Sequence, residues 1–139
     1  IKIKMIVIDA TNQIVGRMAS FVAKTALLGE KIVVVNCENA IISGNKSSII
    51  SKYKMRREIG GPMTGPFFPR QPDRVVRRTI RGMLSYKQGR GRDAFKNIMC
   101  YMGVPEKYEK EKLITSNKTN VSKLPNYKYM VLKDLCKLV

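Results

Sequence analysis

Four consecutive residues, Ile32, Val33, Val34 and Val35, are all aliphatic and β-branched. Such a run is stiff at χ1, favours extended backbone and has no polar side to leave in water, so it demands a strand covered on both faces. That is the pattern of a parallel sheet, whose strands must be joined by a crossover connection. The preceding residues supply one. Met5 to Asp9 reads as a strand, Ala10 to Gln13 as a turn, and Ile14 to about Leu28 as a helix closed by Gly29, with Thr11 or Asn12 available as its cap. At roughly 100° per residue, Val15, Met18, Ala19, Val22 and Ala26 share one face of that helix and Arg17, Ser20 and Lys24 lie opposite. The first fifty residues therefore predict a parallel βαβ unit.

The pattern continues with a short strand at Ala40 to Ser43. A helix opened by Gly44, Asn45, Lys46 and Ser47 follows to about Glu58, with Ile49, Ile50 and Tyr53 facing inward. From Ile59 to Asp73, seven glycines and prolines break any regular element, so this stretch reads as a long surface loop, of the kind that is functional or becomes ordered on a partner. A helix follows from Arg74. Lys87, Arg90 and Arg92 sit in an expected Gly-rich turn, a strand is expected near Ile98 to Met102, and the rest, broken by Pro105 and Pro125, reads as a less regular tail. Strands alternating with helices give an α/β fold. The expectation is a three-layer α/β/α arrangement with a mainly parallel sheet of about four strands, plus a basic loop and a C-terminal extension. Residues 1–139 are expected to form one domain, with a compact core over about 5–105 and an extension over about 106–139.

Charge narrows the function. Lys and Arg number 27 against 10 Asp and Glu, a net charge of +17, while 44% of the residues are hydrophobic, too many for a disordered basic tail. A folded body with this self-repulsion is suited to a polyanionic partner, and nucleic acid is the commonest. An anionic membrane usually requires large aromatic anchors on a basic amphipathic helix, and Trp is absent. The longest aliphatic run is too short to span a bilayer and the first residues lack a signal-peptide core, so an intracellular protein is expected. Cys37, Cys100 and Cys136 are odd in number and far apart, which suits reduced, mostly buried thiols.

Enzymatic motifs fare poorly. With no His, Ser-His-Asp and Cys-His nucleophiles are excluded, and three scattered thiols do not make a zinc site. Asp9, at the end of the first strand, stands where α/β enzymes often place a carboxylate, but it lacks an acidic partner nearby and reads as a turn residue. Gly44, Asn45, Lys46 and Ser47 resemble the end of a phosphate-binding loop, yet that motif needs a Gly where this chain has Asn39. Neither a cofactor nor a metal is expected.

Fourteen of the basic residues fall between Lys46 and Lys96. In the helix after the loop, Arg74, Arg77, Arg78 and Arg81 occupy an arc of roughly 100°, and Val75, Val76, Thr79, Ile80, Met83 and Leu84 fill the complementary arc. Acidic residues that would neutralise this face through i,i+4 pairs are scarce, and Arg suits bidentate phosphate contacts and base stacking. The loop adds Phe67, Phe68 and Arg70, aromatic rings among cations as in binders of looped RNA, although two Phe flanked by Pro can equally plug a core. The RNA-contacting set expected is Lys46, Lys52, Lys54, Arg56, Arg57, Phe67, Arg70, Arg74, Arg77, Arg78, Arg81, Lys87, Arg90 and Arg92.

Segments from Val7 to Lys112 resemble one known family. They are Val7-Ile8-Asp9-Ala10, Gly16-Arg17-Met18-Ala19-Ser20, Val33-Val34-Val35-Asn36-Cys37, Ile42-Ser43-Gly44, Gly65-Pro66-Phe67, Arg81-Gly82-Met83-Leu84-Ser85, and Gly103-Val104-Pro105 with Tyr108. The chain is similar to large-subunit ribosomal protein L13 in its archaeal and eukaryotic cytosolic form. Bacterial members continue the Gly-Met-Leu segment with proline and lack a loop like Thr64 to Arg74. This chain departs from the family in having Tyr86 where His is frequent, and it ends soon after Leu135 where eukaryotic members carry a longer helical tail. The resemblance implies a non-enzymatic structural constituent of the large ribosomal subunit that binds ribosomal RNA and acts in translation. Ribosomal RNA and neighbouring ribosomal proteins would be its partners, with no membrane and no small-molecule substrate. It would work in the cytoplasm and, in a eukaryote, be assembled in the nucleolus. The competing readings are a nucleotide- or cofactor-using RNA enzyme on the same layers, and a DNA-binding regulator.

Overall fold

A computed structural model describes residues 3–139. Strand β1 (Met5–Asp9), helix α1 (Val15–Leu27) and strand β2 (Lys31–Val35) form the expected βαβ unit, with β1 and β2 parallel in the register Met5↔Lys31 to Asp9↔Val35. Strand β4 (Ile98–Cys100) extends the sheet beside β2, and the two-residue strand β5 (Leu113–Ile114) lies beside β1, giving the order β4-β2-β1-β5 with every pairing parallel. Right-handed crossovers put the connections made in one direction along a sheet on one face and those of a return step on the other. The packing follows that rule. Val15, Met18, Ala19 and Val22 of α1 close over Ile6, Ile8, Ile32 and Val34, whereas Tyr108, in the connection that returns from β4 to β5, packs on Val7, Val33 and Val35. The α/β/α layers are therefore unequal: five helices feed the core on one side of the sheet, and on the other lies a thin cover of Tyr101, Val104 and Tyr108.

The unbroken apolar run is explained by this double cover, since Ile32, Val34 and Val35 are fully buried and Val33 nearly so. Asp9 has the turn role expected of it: Oδ1 accepts from Thr11 N at 3.0 Å, Thr11 Oγ1 at 2.8 Å and Asn36 Nδ2 at 3.1 Å. Thr11 is consequently committed to Asp9, and neither it nor Asn12 caps α1; the cap position is Ile14, without a side-chain hydrogen bond.

Strand β3 (Ile41–Ser43) does not join the main sheet. It pairs antiparallel with β6 (Tyr129–Val131), which leads into helix α5 (Leu132–Leu138), and Leu132 and Leu135 enter the main core. The final third thus supplies an edge strand, a partner for β3 and two core anchors where sequence suggested a less regular tail. Helix α2 (Lys46–Glu58) buries Ile49 and half-buries Ile50 and Tyr53. Helix α3 (Pro72–Gly82) packs against α1 through Val75, Val76 and Ile80. The expected Gly-rich turn is instead helix α4 (Gly89–Lys96), which Gly91 permits: a Cβ there would stand 2.2 Å from the Ser85 carbonyl oxygen. No helix among the described residues is long and apolar enough to cross a membrane.

Candidate nucleic-acid interface

Helix α3 divides as its sequence predicts. Val75, Val76 and Ile80, with Leu84 just beyond, are buried, and Met83 alone of the large apolar residues on that arc stays exposed. The opposite arc carries Arg74, Arg77, Arg78 and Arg81, and the loop between α2 and α3 lies alongside. Together with Phe95 of α4 they enclose an open cleft of about 680 Å³. Its walls are Phe67, Phe68, Pro69, Arg70, Gln71, the four α3 arginines and Phe95.

The arginines are held, not loose. The Arg77 guanidinium lies over the Phe95 ring at 4.2 Å while its Nε donates to the Ile98 carbonyl at 3.3 Å. Arg78 covers Phe68 at 4.9 Å and donates to the Phe67 carbonyl at 3.0 Å. Arg81 stacks on Tyr86 at 4.8 Å. Arg74 and Arg70 extend into solvent. A guanidinium stacked on a ring keeps its charge and most of its in-plane N–H donors while losing rotational freedom, so less entropy is spent when it grips an anion.

The charge is not cancelled within the protein. Among the described residues the one ion pair is the exposed Lys96–Asp93 contact at 4.0 Å. Four guanidiniums spaced i, i+3, i+4 and i+7 repel one another, a cost of a few tenths of a kcal/mol per pair that an external anion would remove.

Arg56 is brought to this region from α2. It lies 5.4 Å from the Tyr53 ring and 5.6 Å from Phe68, which also meets Tyr53 edge-on at 5.5 Å. Burial raises the Tyr53 phenol above its ordinary range, and the Arg56 charge opposes that rise. Phe68 is therefore a half-buried plug between two guanidiniums, whereas Phe67 is 70% exposed. Of the two roles that sequence left open for the pair, Phe68 takes that of core plug, and Phe67 does not.

The remaining expected residues do not line the cleft. Lys52 and Lys54 project from α2, and Lys87, Arg90 and Arg92 from α4 and its approach, all exposed. Arg57 is close enough to Cys136 of α5 to oppose the rise that burial imposes on that thiol, and Lys46 lines a separate apolar cavity with Tyr129, Met130 and Leu138. Sequence reasoning missed Tyr53, Tyr86 and Phe95, the rings on which the arginines rest. The signal was an aromatic residue within reach of each arginine in space, which helical periodicity does not reveal.

Residues 3–107 match the family described as Ribosomal protein L13. Over 137 residues the chain is 47% identical to a protein of Methanocaldococcus jannaschii, covering 96% of both chains. It is 55% identical over 106 residues to one of Methanococcus maripaludis, covering 73% of this chain and 77% of that one. A third, from Methanococcoides burtonii, is 42% identical over 131 residues and is covered at 94%, as is this chain. All three carry the name Large ribosomal subunit protein uL13.

Proposed function

The chain belongs to the ribosomal protein L13 family, whose members are structural, non-enzymatic constituents of the large ribosomal subunit in translation, and from that premise we propose that its arginine cleft grips folded ribosomal RNA. One observation carries the reading: four arginines on one face of α3, three of them fixed on aromatic rings, with no carboxylate paired to them among the described residues. Such a face is costly for a free protein and favourable against phosphate. Arg70, Arg74, Arg77, Arg78 and Arg81 form the centre of the contact, with Arg56 beside it. Lys52, Lys54, Lys87, Arg90 and Arg92 extend the positive field on either side. Arg57 and Lys46 contribute at a distance. Neighbouring ribosomal proteins complete its surroundings, the cytoplasmic ribosome is its place of work, and in a nucleated cell its assembly begins in the nucleolus.

Sedimentation tests the reading. Tagged protein should travel with large subunits through a sucrose gradient and remain with them after a high-salt wash, and Arg70→Glu with Arg74→Glu should weaken that retention. Protein that stays at the top of the gradient, or a double variant retained as firmly as wild type, would refute it.

A further inference from the structure

Phe68 and Phe95 in the wall of the cleft serve as rests for Arg78 and Arg77, but Phe67 carries no guanidinium and phosphate binding does not explain it. Charge and N–H donors recognise phosphate, and an exposed phenyl ring adds neither. Phe67 is nonetheless held in place there. Its carbonyl accepts from Arg78 at 3.0 Å, and the next residue, Phe68, is clamped between Arg56 and Arg78. Its ring leans on Gly65, where a Cβ would come 3.0 Å from two of the ring carbons, so the backing residue has no room for a side chain. The ring is thus supported at one edge while the residue is 70% exposed, beside a cleft of about 680 Å³, within the range that accepts a small planar organic group. Arg70 and Arg74 stand on the same cleft as free cations.

Resting on the reading that this cleft contacts RNA, we propose that Phe67 is a stacking platform for one unpaired nucleobase, with Arg70 and Arg74 holding the phosphates on either side of it. Every base has a π-face that an exposed ring can cover, and only a base freed from its helix can present it. The subsite therefore selects a bulged or looped nucleotide over continuous duplex. The Arg78 bond holds the Phe67 backbone and Gly65 backs one edge of the ring, so stacking costs less ordering than on a free side chain.

Three short RNA hairpins, each closed by the same polyethylene glycol linker in place of loop nucleotides, test this: one with a single bulged adenosine, one fully paired, and one with the bulged base replaced by an abasic ribose. Wild type should bind the bulged hairpin about tenfold more tightly than the other two, the scale of one base–aromatic stack. Phe67→Ala should abolish that advantage while leaving affinity for the paired hairpin and the salt dependence unchanged, and Phe67→Trp should preserve it. The proposal is overturned if wild type binds all three alike, or if Phe67→Ala weakens all three equally. Binding of adenosine monophosphate as tight as that of the bulged hairpin would assign the platform to a free nucleotide and overturn it as well. The reading of the cleft as an RNA contact fails separately, if Arg70→Glu with Arg74→Glu binds every hairpin as wild type does.

Discussion

At the scale of single residues, position in space decides roles that chemistry leaves open. Phe67 and Phe68 are identical and adjacent, yet one packs against the core between two guanidiniums and the other stands in solvent. The three cysteines differ in the same way. Cys37 is fully buried, and the hydrogen bond it shares with Cys100, reinforced by burial, pushes its thiol far above the ordinary range. Cys136 is half-buried and its rise, caused by burial, is opposed by Arg57. Alkylation needs the thiolate, which a raised pKa makes scarcer at any given pH. Iodoacetamide at about pH 8, near the ordinary thiol pKa, should therefore modify Cys136 first, leaving Cys37 and Cys100 untouched until the protein is unfolded in urea. Intact mass and peptide mapping over time read this directly; equal labelling of the three in native protein would mean that the β2–β4 edge opens readily.

At the scale of elements, the two arcs of α3 were legible because a helix repeats its environment every 3.6 residues, and the βαβ unit because β-branched runs have few other uses. The short elements were not. Strand β5 is two half-exposed residues paired with a strand about a hundred positions earlier, and β3 and β6 find each other over a similar separation, so no local pattern marks them. Helix α4 was masked by Gly89 and Gly91, which locally signal a turn, whereas Gly91 here allows a close approach to Ser85. The aromatic supports of the arginines were hidden for the same reason, and they alter what mutation of the charged arc should do. Arg70→Glu with Arg74→Glu touches only exposed side chains, and should lower RNA affinity at least tenfold while stability stays within about 0.5 kcal/mol of wild type. Arg77→Glu also loses the Phe95 stack and the bond to Ile98 O, and should cost about 1–3 kcal/mol of stability besides. Ile80→Ala, on the buried arc, should cost about 2–5 kcal/mol and leave binding by the folded fraction intact. Urea unfolding beside RNA titration for the three proteins checks the division; a destabilised Arg70/Arg74 variant would show that the cleft is part of the core.

For the whole molecule the governing quantity is the net charge of +17, hardly offset by internal pairing, since the single ion pair among the described residues is exposed and long. Self-repulsion of this kind opposes the compact state and is screened by salt, because at about 0.1 M the Debye length has already fallen to roughly 10 Å. The same ions compete with the protein for RNA, where each neutralised phosphate releases condensed counterion. Fold and function should therefore respond to salt with opposite signs. Raising sodium chloride should increase the melting temperature of the free protein while RNA affinity falls. If the five cleft arginines, Arg70, Arg74, Arg77, Arg78 and Arg81, each meet one phosphate, the log–log slope should be about −4. Arg70→Glu with Arg74→Glu should flatten that slope and raise the melting temperature at low salt, since it removes two of the repelling charges and adds two of opposite sign. Because arginine stays protonated and the chain has no His, the affinity should also be level from about pH 6 to 8.5. Calorimetry and RNA titration across the same salt series decide the matter. A melting temperature that falls with salt, or an affinity that ignores it, would mean that the positive charge is already compensated within the protein and that the arginine cleft has no need of a polyanion.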